Sequence, residues 1–323
     1  MSQSRTSLDD SEYASRFNRL DSAIKEIAFS IRKDWDTIPS WLAPYVSVDA
    51  QKVGAREMTA VGRATISKWI ADEIFTKCFH PSLDPELSIM LKRIEQNIRW
   101  ASSSATSAEE LEALTSKVVQ WRLTTVEGLG YQLNSPESIE HKTRFTQMAV
   151  TNLTAHLLQH LLNPAPQNIE GNATSIVELA VLIAYHLPLE SRDISITYPL
   201  PGDLVLPTMK VETALPPLEN LQYPNTDESG SAIGESKEES GSMDGGKESN
   251  RLKKPEKAKL AAQSSGNGKK LSVSTGNGDL GDGKTNKDRN REDGSHKIRF
   301  AGFMGVEVRG RQWLVNPPVW TIS

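Results

Sequence analysis

The chain is poor in cysteine and in aromatic residues. Its 323 residues include one cysteine, Cys78, so neither an intramolecular disulfide nor a four-cysteine zinc site can form. Hydrophobic residues make up 37% and aromatic residues 6%, which is low for a compact protein of this length. Almost all of this deficit lies between about residues 227 and 296. The rest has ordinary globular composition and is long enough to bury a core.

Long apolar runs are also missing. The segment MSQSRTSLDDSEY has no apolar stretch of the kind that a signal peptide requires. The most apolar run, SIVELAVLIAYHLPL, is too short to span a bilayer and carries Glu178. The net charge of −4 provides no overall positive field that would favour nucleic acid. We therefore expect an intracellular protein, cytoplasmic or nuclear, that does not insert into membranes.

Catalytic motifs are absent as well. The chain has no Ser-His-Asp order, no glycine-rich phosphate loop and no paired-carboxylate motif, so we predict no catalytic residue and no cofactor. His156 and His160 have the spacing by which two imidazoles on one helix share a metal ion. Leu157 occupies the position where a metalloprotease needs glutamate, and His186 or Glu178 would have to supply a third ligand. We therefore favour two helix histidines at the edge of a core.

Three other patterns have simple structural interpretations. Met209-Lys210 superficially resembles the biotin- or lipoyl-acceptor hairpin. The surrounding residues do not supply the β barrel that such a hairpin requires. We therefore favour an ordinary strand with an outward lysine. Basic clusters in RLKKPEKAKLAA and KTNKDRNR are compatible with nuclear import, although acidic neighbours cancel much of their field. Charged residues near Trp69, including Glu57 and Arg63, are interpreted as ion pairs on a helix surface.

Apolar residues at helical spacing predict a mainly α fold, a bundle or array of about six helices. The first stripe runs from Tyr13 to Trp35, and later helices follow capping signals such as Asp49, Asp84 and Ser107. The predicted buried face of the third helix consists of Leu87, Leu91, Ile94 and Ile98. The sixth helix is apolar all round, which predicts a central position.

Beyond the helices, the pattern changes to short strands. Residues 193–212 contain short alternating or β-branched runs that prolines interrupt, so we predict short strands there. These strands belong to a predicted helical domain that spans residues 8–218. Residues 1–7 and the low-complexity linker 219–296 are predicted to be disordered. The last segment, 297–323, has a one-sided apolar pattern and a turn signal, which predict a β-hairpin. A lone hairpin is marginal in water, so we expect it to complete the small antiparallel sheet of the helical domain.

Three stretches carry a family resemblance. IRFAGFMGVEVRGRQWLVNPPVWTI, AREMTAVGRATISKWI and LPLESRDISITYPLPGD are similar to a group of uncharacterised filamentous-fungal proteins. The resemblance covers the helices, the strands and the tail but not the linker. It implies no catalytic residue, because that group has no established activity.

These features favour a non-enzymatic interaction, regulatory or scaffold protein with a protein partner. One alternative is a helical enzyme or small-ligand-binding protein with a pocket between helices, and a second is a nuclear regulator associated with nucleic acid. The tail could exchange between its own sheet and a partner's sheet edge. The candidate interaction residues are Phe300, Phe303, Met304, Val306, Val308, Arg309, Trp313 and Trp320.

Overall fold

The computed structural model describes residues 8–102, 107–218 and 296–322. The predicted disorder of residues 1–7 and of the linker up to residue 295 lies outside these ranges. Six long helices are present within them: α1 (Asp10–Ser30), α3 (Ala55–Ile70), α4 (Pro85–Ser102), α5 (Ala108–Gly128), α7 (Pro136–Leu158) and α8 (Ile169–His186). Two single-turn helices accompany them: α2 (Ala50–Val53) and α6 (Gly130–Leu133).

Polar side chains begin several helices as the sequence predicts. The Asp84 carboxylate accepts from the Leu87 backbone N–H (3.2 Å), and the Ser107 hydroxyl accepts from that of Glu110 (3.1 Å). Asp49 makes no such bond, and the helix predicted to start there is broken. The chain forms only α2, turns at Gly54, continues as α3 and ends in a π-helical turn, Ala71–Phe75.

Four helices lie side by side in the order α7, α8, α1 and α3. The apolar stripe of α1 is completely covered, with Tyr13, Phe17 and Leu20 fully buried. By length and composition alone, Ile169–Leu189 could cross a membrane. Here α8 packs between α1 and α7, as its predicted central position requires, but it keeps an exposed edge that includes Leu182. The apolar core therefore runs through this layer.

The hairpin of α4 and α5 turns an unexpected face inward. The predicted apolar face of α4 is only partly covered, and Ile94 is 42% exposed. The buried residues of this helix include Ser88 and Glu95 instead. The predicted buried face of α4 was wrong because it was chosen by hydrophobicity alone. In the structure, α4 turns polar side chains inward to a buried ionic cluster.

In the part of the chain that the structure describes, six short strands form two sheets: β1 (Ile194–Thr197), β2 (Lys210–Val211), β3 (Ile298–Ala301), β4 (Gly305–Val308), β5 (Gln312–Val315) and β6 (Pro318–Thr321). The first sheet is antiparallel in the order β1-β4-β5, with Ile194 opposite Val308. In the second, β6 pairs antiparallel with β3 and parallel with β2. The predicted fold class is confirmed: the protein is mainly α, with small antiparallel sheets that include the C-terminal strands.

The tail forms more than the predicted hairpin. Gly310 makes the expected turn between β4 and β5, with a positive φ of 72° that favours glycine. The double proline Pro317-Pro318 does not end the β structure, because β6 begins at Pro318, a position in a strand that tolerates proline. Phe300 and Phe303 are fully buried in the same core as α1. The tail and the helices thus belong to one compact unit.

Candidate functional site

The candidate tail residues lie mostly inside the protein. Five of them are at most 3% exposed and Trp320 is 6% exposed: Phe300, Phe303, Met304, Val306 and Val308. Arg309 and Trp313 are half-buried. With the tail docked, these side chains fill the protein's own core, so their predicted exchange to a partner requires the tail to leave it.

The two metal candidates do not converge with further ligands. The rings of His156 and His160 lie 5.6 Å apart, centre to centre. His160 Nδ1 is 3.0 Å from the Thr37 hydroxyl, and its ring stacks on Trp35. Within the described ranges, no group of three or more His, Cys, Asp or Glu residues could hold a metal ion. Burial lowers the pKa of both imidazoles and thus favours their neutral forms.

Lys210 lies on β2 and is exposed. Its Nζ is 3.5 Å from a carboxylate oxygen of Glu212, and its backbone N–H donates to the Pro317 carbonyl. This is the geometry of a strand residue with an outward side chain.

A first buried ionic cluster joins the tail to the helices. The Arg299 guanidinium of β3 contacts the Glu57 carboxylate of α3, and the side chains of both are 1% exposed. Arg299 also donates to the carbonyls of Tyr45 (2.7 Å) and Pro216 (2.6 Å). Glu57 accepts from the Ser47 backbone N–H (2.8 Å). Its expected place in a surface ion pair was therefore wrong.

A second buried cluster joins α4 and α5 to the residues just before β1 and just after β4. Arg99 makes a two-pronged contact with Asp193, at 2.6 and 2.7 Å, and a third contact with Glu95 at 2.8 Å. Arg309 Nε lies 3.0 Å from Asp193 Oδ2, and Arg122 Nη1 lies 3.6 Å from Glu95 Oε1. Burial alone would raise the pKa of Glu95, but the surrounding cations lower it to about 2. The Glu95 carboxylate therefore stays ionised.

A third contact region ties the start of α1 to the segment before β1. Glu190 is fully buried and accepts from the Tyr13 hydroxyl (3.0 Å) and the Leu8 backbone N–H (2.9 Å). Arg192 Nη2 lies 3.1 Å from its other carboxylate oxygen. Burial and the charge of Glu190 raise the pKa of Tyr13, so this hydroxyl stays protonated and donates.

Cys78, Ser88 and His80 form a compact polar group that is not arranged for nucleophilic catalysis. The Ser88 hydroxyl accepts from the backbone N–H groups of Phe79 and His80, both at 3.1 Å. Burial raises the pKa of Cys78 to about 11, which disfavours the reactive thiolate. Burial also lowers the pKa of His80 to about 4, and its Nδ1 accepts from the Ser82 N–H. These bonds order the turn between the π-helical turn and α4.

A large concave surface lies between α7 and α8, and we call it the α7–α8 groove. Its volume is about 1030 Å³, and its walls run from Ser135, the N-cap of α7, to Thr151 and from Glu170 to Tyr185 on α8. A helix rises about 1.5 Å per residue, so the α7 wall is roughly 24 Å long. The groove is an elongated channel rather than a compact pocket.

The walls of the α7–α8 groove combine apolar side chains with hydrogen-bond acceptors. Ile139 is 71% exposed and Leu182 is 37% exposed. The hydroxyls of Thr143 and Thr146 donate to carbonyls of their own helix, which leaves their oxygens able to accept. The Lys142 ammonium lies 5.1 Å from the centre of the Tyr185 ring. A complementary ligand would present apolar side chains and hydrogen-bond donors.

Sequence reasoning missed the buried ionic clusters and the groove. One local signal was available for the second cluster, because Lys92, Glu95 and Arg99 share one face of α4 at spacings of three and four residues. No local signal pairs Arg299 with Glu57, which are 242 residues apart. The groove forms between one face of α7 and one face of α8, and no local pattern in the sequence links these two faces.

Comparison with known proteins gives no relative to reason from. No family model, curated protein or solved structure matches this chain.

Proposed function

We propose that the chain is a non-enzymatic intracellular interaction or scaffold protein that binds a segment of a partner protein in the α7–α8 groove. The observation that carries the proposal is the shape of this groove, which is long enough for about four helical turns. Small-molecule sites are usually compact and bury most of their ligand. A channel of this length suits an amphipathic peptide helix better.

The groove also defines the chemistry of the proposed partner. Ile139 and Leu182 offer apolar contact, and the threonine oxygens accept hydrogen bonds. Glu170 and Glu178 outnumber Lys142 among the charged wall residues, which leaves one net negative charge. The expected partner segment is therefore an amphipathic helix with an apolar stripe and lysine, arginine or hydroxyl side chains beside it. The acidic net charge of the chain ranks nucleic acid below protein as a partner.

Point variants in the groove test this function better than removal of the tail, because the tail is part of the core. Ile139→Arg and Leu182→Glu should each abolish co-purification of the partners of the tagged full-length protein. Val53→Arg is the matched control, since Val53 is 82% exposed on α2 and lies outside the groove. Each variant's unfolding midpoint is measured first. An unchanged set of partners in the folded groove variants would contradict the proposal.

A further inference from the structure

A second cavity differs from the groove in both size and charge. It lies between the π-helical turn, α4, α5, β1 and the turn after β4, and it has a volume of about 270 Å³. We call it the cationic cavity, because four positively charged side chains line it: Lys92, Arg99, Arg122 and Arg309. Its volume is close to the roughly 300 Å³ at which small-molecule sites begin.

The cations outnumber the carboxylates that face them. Asp193 is held by Arg99 and Arg309, while Glu95 is held by Arg99 and by Lys92 at 2.9 Å. Four positive charges against these two negative charges leave an excess of two among the described side chains of the cluster. Because the carboxylates of the cluster balance only two of its four positive charges, the cavity attracts an anion with about two negative charges.

The exposure of the four cations changes along the cavity. The side chains of Arg309, Arg99 and Lys92 are 30%, 19% and 18% exposed, whereas that of Arg122 is 4% exposed. The Arg122 Nη2 donates to the carbonyls of Glu190 and Arg192, both at 2.7 Å. Its Nε is buried, and no described residue accepts a hydrogen bond from it. The cavity thus combines one buried donor, Arg122 Nε, with three cations that solvent can reach.

The remaining walls are suited to the organic part of a small ligand. Phe75, Leu187 and Ile196 provide apolar surface, and Thr76 and Thr197 provide hydroxyl groups. A cavity of this volume admits a small molecule but not a folded segment of another protein.

We propose that the cationic cavity binds a small organic phosphate. A phosphate monoester carries about −1.5 to −2 charge at pH 7, which matches the excess of two positive charges. Its oxygens accept hydrogen bonds from guanidinium groups in a two-pronged geometry, and an ammonium adds a point charge. The ester group would contact the apolar wall. Glu95 and Asp193 hold the arginines in place rather than repelling the ligand.

Titration with phenyl phosphate tests the proposal. Isothermal calorimetry of the full chain at constant ionic strength should give saturable binding of phenyl phosphate and weaker binding of inorganic phosphate. Phenol, which lacks the phosphate, should not bind. Lys92→Gln and Arg309→Gln should each weaken binding by about tenfold or more, because each removes a charged hydrogen-bond donor to the phosphate. Lys25→Gln, a surface residue paired with Asp21, is the control and should bind normally.

The variants alter partly exposed side chains, and their unfolding midpoints identify any that fails to fold. If Arg309→Gln is unfolded, Lys92→Gln alone carries the test, because Lys92 lies on a helix surface. The proposal is overturned if millimolar phenyl phosphate gives no saturable heat. It is also overturned if phenol binds equally well, or if folded cavity variants bind as tightly as Lys25→Gln.

Discussion

Arg299 and Glu57 form an ion pair in the interior of the protein across 242 residues of sequence. Arg299 comes from β3 in the tail, and Glu57 from the first turn of α3. The two carbonyls that accept from Arg299 belong to Tyr45 and Pro216. One side chain therefore connects the tail to three separate parts of the preceding chain.

We expect Arg299→Met to destabilise the protein by about 3–5 kcal/mol, because it leaves the Glu57 carboxylate buried without its cation. Urea unfolding followed by circular dichroism measures this free energy. The double variant Glu57→Gln with Arg299→Met should lose less than the sum of the two single losses.

Lys77→Met provides the comparison for this ion pair. Lys77 pairs with Glu73 on an exposed helix surface at 2.6 Å, where such pairs contribute about 0–1 kcal/mol. Equal losses for Lys77→Met and Arg299→Met would show that the buried pair has no special role.

The attachment points of the linker lead to a second prediction. Arg299 donates to the Pro216 carbonyl, and Lys297 pairs with Leu204, so the chain leaves and re-enters the described structure in the same region. Replacing residues 222–292 by a short Gly-Ser linker should therefore preserve the fold and leave the melting temperature the same or slightly higher, since loop closure costs less entropy. Differential scanning calorimetry measures this change.

The matched comparison removes residues 297–323 and keeps the linker. This truncation removes fully buried side chains such as Phe300 and Phe303, and it should abolish cooperative unfolding. A truncated protein that melts at the same temperature as the intact chain would refute the structural role of the tail.

A third prediction concerns His80, whose pKa is lowered from 6.5 to about 4 by burial and by the charges of Lys142 and His186. The unfolded state binds a proton more readily than the folded state, so stability is lost as pH falls from about 6.5 to 4. The total loss is a few kcal/mol, since each pKa unit corresponds to about 1.4 kcal/mol. His80→Asn should reduce the slope of unfolding free energy against pH in this interval.

Glu95 supplies a check on the interval. Its pKa is lowered from 4.5 to about 2, so its contribution is lost only between those values, below most of the His80 range. Urea titrations at a series of pH values separate the two effects. If the wild-type and His80→Asn curves stay parallel from pH 6.5 to 4, His80 is not responsible.

A fourth prediction concerns the close approach at Gly302. A Cβ atom there would lie 2.9 Å from two carbons of the Trp320 ring and 3.0 Å from Arg63 Cζ. Gly302→Ala should cost about 1–3 kcal/mol, the usual range for overpacking a core. Gly128→Ala is the control, because a Cβ at the end of α5 meets nothing within 4 Å. Comparable losses in thermal unfolding for both variants would contradict the close packing.

Local pattern predicted the elements well where burial follows hydrophobicity. Phe17, Leu20 and Ile24 recur at helical spacing, and all three are fully buried in α1. The alternation in the tail likewise predicted strands correctly, since Val306 and Val308 of β4 are both buried in the interior of the protein. These predictions succeed because the period of each element places its apolar residues on one face.

Prediction failed where a charged side chain is buried among distant partners. The alternating pattern of the tail places Arg299 on the polar face of its strand, opposite the apolar side chains. In the structure, however, both faces of β3 are buried. Its partner on α3 and the parallel pairing of β2 with β6 are contacts between distant parts of the chain. The cationic cavity is missed for the same reason, because α4, α5 and the turn after β4 each supply only one or two of its cations. Local periodicity contains no information about such long-range contacts.

The pairing of β1 with β4 has a consequence for synthesis of the protein on the ribosome. About 110 residues separate the two strands, and translation at roughly 5–20 residues per second adds β4 about 5–20 s after β1. Throughout that interval, the apolar surface that Phe300 and Phe303 cover in the finished protein stands open to water. The helices of the nascent chain therefore pass through an interval of seconds in which this apolar surface lacks its last covering layer.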